Sequence, residues 1–109
     1  MIIINARFHV LPEHAEQFPE LTREFTEATR AEPGNRWFMW SRSLDDPNEY
    51  VLLEAFDDDA AEAHVGSDHF TKAATEIPQW LASTPQIINT VVPDDDWGLM
   101  GEMQVEPRG

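Results

Sequence analysis

The sequence predicts an α+β fold, a four-stranded antiparallel sheet with helices on one face. Three observations carry that expectation. Residues 2–10 alternate with a period of two, as a half-buried strand does. Two segments, 18–28 and 70–81, carry apolar residues at helical spacing. Two more strand-like runs, 36–43 and 50–56, flank a single proline-containing turn and form a hairpin.

In the first strand Ile2, Ile4, Ala6, Phe8 and Val10 share one apolar face, opposite Ile3, Asn5, Arg7 and His9. Leu11-Pro12-Glu13 ends it, and a helix follows with Phe18, Leu21, Phe25 and Ala28 as its inward stripe. Pro19 kinks this helix or marks its start, because proline lacks the N–H and clashes one turn back. Glu32-Pro33-Gly34-Asn35 is a stop and turn signal. The next run contains Trp37-Phe38-Met39-Trp40, large apolar residues that a strand points to both faces, so both faces need cover. Residues 45–49 turn the chain, with Pro47 pre-setting the backbone, and Tyr50 to Phe56 pairs back.

Asp57-Asp58-Asp59 caps a short helix, Ala60 to Val65, which ends near Gly66. Ser67 or Asp68 opens another helix, with Phe70, Ala74, Ile77 and Leu81 on one stripe and Pro78 shortening it. Pro85 to Val92 is the last strand. The order βαββα(α)β matches the ferredoxin-like plan. One sheet face is then covered by helices, and no element remains for the other. A second copy is its simplest cover, so a homodimer is expected. Residues 1–93 form the domain and 94–109 an acidic tail that can reach a partner.

Composition narrows the function. The 109 residues carry a formal charge of −14, with only seven lysines and arginines, which argues against nucleic acid and anionic membranes. The charge is uneven: residues 1–56 hold five cationic and ten anionic side chains, residues 57–109 two and eleven. No apolar stretch is long enough to span a bilayer, and the N-terminus lacks the pattern of a secretory signal, so a cytoplasmic location is expected. Without cysteine there is no disulfide, thiolate nucleophile or Cys-based metal site.

Three segments resemble the antibiotic biosynthesis monooxygenase family: Ala28-Thr29-Arg30-Ala31-Glu32-Pro33-Gly34-Asn35, the Asp46-Pro47 turn with Tyr50 to Phe56, and Ala63-His64-Val65-Gly66-Ser67-Asp68-His69-Phe70. The last is similar to the family's H-x4-H-F/Y/M segment, and the resemblance spans about residues 1–93. It implies a dimeric α+β barrel with a pocket between sheet and helices. It also implies oxygenation of phenols or hydroquinones by molecular oxygen as co-substrate, with no cofactor, because an electron-rich phenolate can itself pass an electron to oxygen. The protein then binds the ring, removes a proton and excludes water. Relatives that degrade haem are a poor match, since Ala6, His64 and Thr75 stand at their three haem-site positions and Asn5 points away from the helices.

Against that background His64 and His69 are the candidate catalytic residues. His64 follows Ala60 and Ala61 on the inward face of its helix and can accept a phenol proton near neutrality. The plainer alternative is a helix-edge histidine bonded to a carbonyl. His69, Ala73 and Trp80 share a narrow stripe with Glu76 at its edge, leaving room for a flat ligand; otherwise His69 is a surface contact and Trp80 core. Trp37, Phe38, Phe56 and Trp80 are candidate ring contacts, although aromatic residues fill cores as readily. No metal is expected: on one ideal helix residues five apart stand about 140° apart, and although a break at Gly66 could bring the two histidines together, no third ligand is evident beyond Asp68. The runs 57–59 and 94–96 lack the alternating spacing of a calcium loop.

Two other functions fit the resemblance. One is a cofactor-free isomerase of a small carbonyl compound, whose substrate is often phosphorylated; only Arg36, Arg42 and Lys72 could serve it. The other is a non-catalytic dimeric ligand-binding or stress protein.

Overall fold

A computed structural model describes residues 1–109. Four strands, β1 (Ile2–His9), β2 (Asn35–Arg42), β3 (Glu49–Phe56) and β4 (Gln86–Val91), form one antiparallel sheet in the order β2-β3-β1-β4. That is the expected α+β ferredoxin-like topology. β1 is central, pairing Ala6 with Leu52 on one side and with Ile87 on the other. The alternation holds, with Ala6, Phe38, Tyr50, Leu52 and Phe56 buried under the helices while Asn5, Arg7 and Met39 are exposed.

The first helical segment departs from the expected single stripe. It is three short helices, α1 (Pro12–Ala15), α2 (Phe18–Leu21) and α3 (Arg23–Arg30), with Pro12 and Pro19 each in the first turn of its helix. Leu21 faces outward, and the buried positions after Phe18 are Thr22, Thr26 and Thr29. Threonine can take these sites because its hydroxyl finds a partner one turn back: Thr22 donates to the Phe18 carbonyl and Thr26 to that of Thr22, both at 2.8 Å. Trp40 then donates its indole N–H to the Thr26 hydroxyl at 2.9 Å, tying β2 to α3.

Helix α4 (Ala60–Val65) follows the acidic run, but no aspartate side chain caps it. Asp57 pairs with Arg36 and Asp58 with the N-terminal ammonium, while Asp59, at the cap position, has helical rather than extended backbone angles. The Ala60 N–H turns to the Asp57 backbone carbonyl instead. Helix α5 (Asp68–Glu76) is capped as expected, Ser67 accepting the Phe70 N–H. A 3-10 turn, Ile77–Trp80, carries Pro78 and delivers the chain to β4. Ala73 and Ile77 supply the buried contacts of this segment, not Ala74.

Gly34, between α3 and β2, is required by a close approach. A Cβ there would collide with the Cβ of Ala60, so this turn packs directly on the start of α4. That contact brings Glu32 and α4 together. At the other end of the chain, Trp97 stacks on Trp37 with centroids 5.0 Å apart, and Arg36 donates to the Asp95 carbonyl.

Candidate functional site

The two histidines of the H-x4-H segment meet on one carboxylate oxygen. Nδ1 of His64 lies 2.7 Å from Oε2 of Glu32, and Nε2 of His69 lies 2.5 Å from the same atom. Their separation on an ideal helix suggested otherwise. The chain is not one helix there: α4 ends at Gly66 and α5 restarts at Ser67, which turns His69 back toward His64. Glu32, 32 and 37 residues away in sequence, arrives from the turn after α3 and is the third member that Asp68 is not.

His64 is 3% exposed. Its ring packs among Phe56, Phe70 and Phe25, with centroids 4.9, 5.1 and 5.8 Å away. Its second ring nitrogen, Nε2, faces Oε1 of Glu54 at 3.9 Å. Glu54 rises from β3 in the inward row Tyr50, Leu52, Glu54, Phe56, the one acid among apolar neighbours. Burial pushes its carboxyl up to about 7, and the nearby Glu32 carboxylate adds to the rise. No lysine or arginine lies within 4 Å of either carboxylate, which meet only the histidines.

His64 and Glu54 supply the polar side chains of a cavity of about 340 Å³ between the sheet and α5. The rest of the wall is apolar, from Ile4, Ala6 and Phe8 of β1 through Phe70 and Ala74 of α5 to Ile87 of β4. The volume lies within the range of small-molecule pockets. A carboxylate on Nδ1 fixes that nitrogen as the N–H donor and leaves Nε2 as the free acceptor. The arrangement therefore offers a proton acceptor on His64, backed by the Glu32 carboxylate, with the Glu54 carboxyl beside it in an otherwise apolar chamber.

The candidate ring contacts fall in different places. Phe56 and Phe38 are fully buried and back the His64 ring, with their centroids 4.9 and 6.2 Å from it, but do not line the cavity. Trp37 lies on the opposite face of the sheet, against Trp97. The stripe of His69, Ala73, Glu76 and Trp80 does line one cleft, but that cleft holds only about 50 Å³. A benzene-sized guest needs roughly 150 Å³. The ring-sized space is on the other side of α5, walled by Phe8, Phe25 and Phe70.

Glu32 and Glu54 are the site members that the sequence reading passed over. Glu54 carried a signal, an acid in register with an inward apolar row. Glu32 carried none, since it looked like any residue ending a helix before Pro-Gly.

Comparison with known proteins agrees with this architecture. Residues 1–76 match the family model described as antibiotic biosynthesis monooxygenase. The chain is similar to the Bacillus subtilis protein named "Putative monooxygenase YcnE", 28% identical over 91 residues that cover 83% of this chain and 96% of the relative. Among solved structures, a protein from Nitrosomonas europaea named as a "Putative antibiotic biosynthesis monooxygenase" superposes with a TM-score of 0.78 at 28% identity, covering 86% of this chain and all of that one. Rv0793 from Mycobacterium tuberculosis superposes with a TM-score of 0.76 at 25% identity, covering 86% and 96%.

Proposed function

Because the chain belongs to the antibiotic biosynthesis monooxygenase family, we propose that it oxidises an electron-rich phenol, hydroquinone or polycyclic aromatic with molecular oxygen and no cofactor. One observation carries this reading: the Glu32 carboxylate holds Nδ1 of His64, leaving Nε2 as acceptor beside Glu54 at the wall of an apolar, ring-sized cavity.

The ring enters the cavity and sheds water, which favours neutral aromatic substrates. Nε2 of His64 takes the phenol proton, and the imidazolium is stabilised by the carboxylate on Nδ1. The phenolate passes one electron to oxygen, and the resulting ring radical and superoxide combine into a carbon–oxygen bond. Protonation gives a hydroperoxide at a ring carbon that bears hydrogen. Loss of that hydrogen as a proton, with cleavage of the O–O bond, leaves a carbonyl and water. Phenol plus oxygen thus becomes quinone plus water. His64 handles the proton and returns it, while His69 holds Glu32 in place from the far side.

The isomerase alternative is weaker here, because no lysine or arginine lines the cavity to receive a phosphate. A non-catalytic protein is also less well supported, since neither Trp37, Phe56 nor Trp80 fills the chamber. We further propose a homodimer, formed through the uncovered sheet face. Ile88 stays exposed there, and so do Leu99, Met100 and Met103 in the tail beyond residue 93, which would cross to the partner. No helix is long and apolar enough to cross a membrane.

Oxygen uptake with a panel of hydroquinones and polycyclic phenols tests the assignment. At least one should be consumed with stoichiometric quinone formation, and His64→Ala should slow turnover about 100-fold or more while leaving the fold intact. An unchanged rate in that variant removes His64 from the chemistry. Isomerisation of a carbonyl compound without oxygen consumption overturns the assignment.

A further inference from the structure

We propose that Glu32, His64 and His69 also form a binding site for a divalent cation of the zinc type. Two imidazole nitrogens and a carboxylate are the donor set that zinc and its neighbours in the first transition row accept, with a fourth position left open. One ring nitrogen of each histidine and a carboxylate oxygen of Glu32 all lie within 4.8 Å of one another, and Nδ1 of His64 and Nε2 of His69 are the nitrogens that meet Glu32. The three residues come from separate elements, so the cluster is made by the fold rather than by one flexible segment.

Two further features suit a cation. The site holds two largely buried carboxylates, Glu32 and Glu54, with no lysine or arginine within 4 Å of either. Such a pair needs positive charge, from a proton or from a metal. Glu54 stands next to the outer nitrogen of His64, where a carboxylate accepts the second N–H of a metal-bound imidazole and fixes its orientation. His69 is reached from outside through the small cleft lined by Glu24, Lys72 and Glu76, in which Lys72 pairs with both carboxylates.

In the metal-free protein Oε2 of Glu32 is hydrogen-bonded to both rings. Ligands around a tetrahedral zinc stand roughly 3.3 Å from one another, so the carboxylate must withdraw by about 1 Å. Rotation about its side-chain torsions supplies this. Nδ1 of His64 then bears the metal, and the ring proton moves to Nε2. The nitrogen facing the cavity changes from proton acceptor to donor. On the reading of His64 given above, the bound cation therefore stops turnover.

The site is tested on the protein alone, with no substrate present, so its failure is separate from failure of the oxygenase assignment. Titration of the whole chain with Zn²⁺ by calorimetry, and with Co²⁺ by visible absorption, should give one site per chain and the d–d bands of a four- or five-coordinate ion. Glu32→Gln and His69→Ala should each weaken binding by more than about tenfold. Imidazole nitrogen resonances of the unaltered protein report independently of any variant's folding. On sub-stoichiometric Zn²⁺ the signals of His64 and His69 should move to metal-bound positions while those of His9 and His14 stay. Absence of one-to-one binding overturns the proposal, and so does binding that shifts only His9 or His14.

Discussion

Glu54 faces Nε2 of His64 across 3.9 Å, and no cation sits on the other side of its carboxyl. Its ionisation is therefore linked to folding. The folded carboxyl titrates near 7, above the ordinary value of 4.5. A raised value means the fold prefers the neutral acid. The associated stability is fully present below pH 4.5 and is lost as pH rises through 7, by an amount on the order of 3 kcal/mol at most. In metal-free protein, Glu54→Gln should raise stability at pH 8 relative to the unaltered chain, and much less at pH 5. Urea unfolding at the two pH values measures this, and an equal effect at both would show that Glu54 is not neutral in the fold.

Gly34 and Ala60 are in direct contact, with no space for a second Cβ. Gly34→Ala should destabilise by about 1–3 kcal/mol, the cost of overpacking. Adding Ala60→Gly removes the opposing methyl and should recover the packing part of that loss. A double-mutant cycle by chemical denaturation gives the coupling, and a coupling of zero would mean the turn does not pack on α4. Because this contact seats Glu32, Gly34→Ala should also lower turnover.

Tyr50 donates its hydroxyl to the Ala15 carbonyl at 2.8 Å, fixing α1 on the sheet. Tyr50→Phe should cost about 1 kcal/mol, with more lost if the Ala15 carbonyl stays unpaired. Burial raises the phenol above its ordinary value of 10.0, so the neutral form is the one the fold prefers. Stability from this preference is present below pH 10 and lost at higher pH. Above pH 10 the unaltered protein should therefore lose stability faster than Tyr50→Phe, as followed by circular dichroism during urea unfolding.

Ala74 is exposed on α5 and lines the apolar cavity without helping to form the core. Ala74→Phe should fill part of the chamber and leave the melting temperature nearly unchanged. The expected result is a rise in KM for any accepted hydroquinone of about tenfold, or ~1.4 kcal/mol of binding. Steady-state oxygen uptake checks it, and an unchanged KM would place the substrate elsewhere.

Much of the fold was legible because its information is local. Period-two alternation assigned Ala6 and Phe8 to the inner face of β1, and the Ser67-Asp68 pair announced the start of α5, where Ser67 is the cap. The helical stripe was misread at Leu21, where threonines that bond their own preceding turn took the buried side. The aspartates at 57–59 were misread as caps because Asp57 and Asp58 are drawn to Arg36 and the N-terminal ammonium from elsewhere in the chain, and Asp59 at the cap position has helical rather than extended backbone angles.

The sequence by itself determined the order of strands and helical segments, the inward and outward faces of β1, and the H-x4-H segment that made His64 and His69 candidates. Side-chain direction along a strand or helix follows from backbone geometry a few residues long. Only the tertiary structure decided that both imidazoles meet on Glu32, that the ring-sized cavity lies on the sheet side of α5, and that Glu54 titrates near 7. Each of these depends on groups brought together from distant parts of the chain and on the water their packing removes. Desolvation and long-range contact are properties of the assembled core, and no local pattern encodes them.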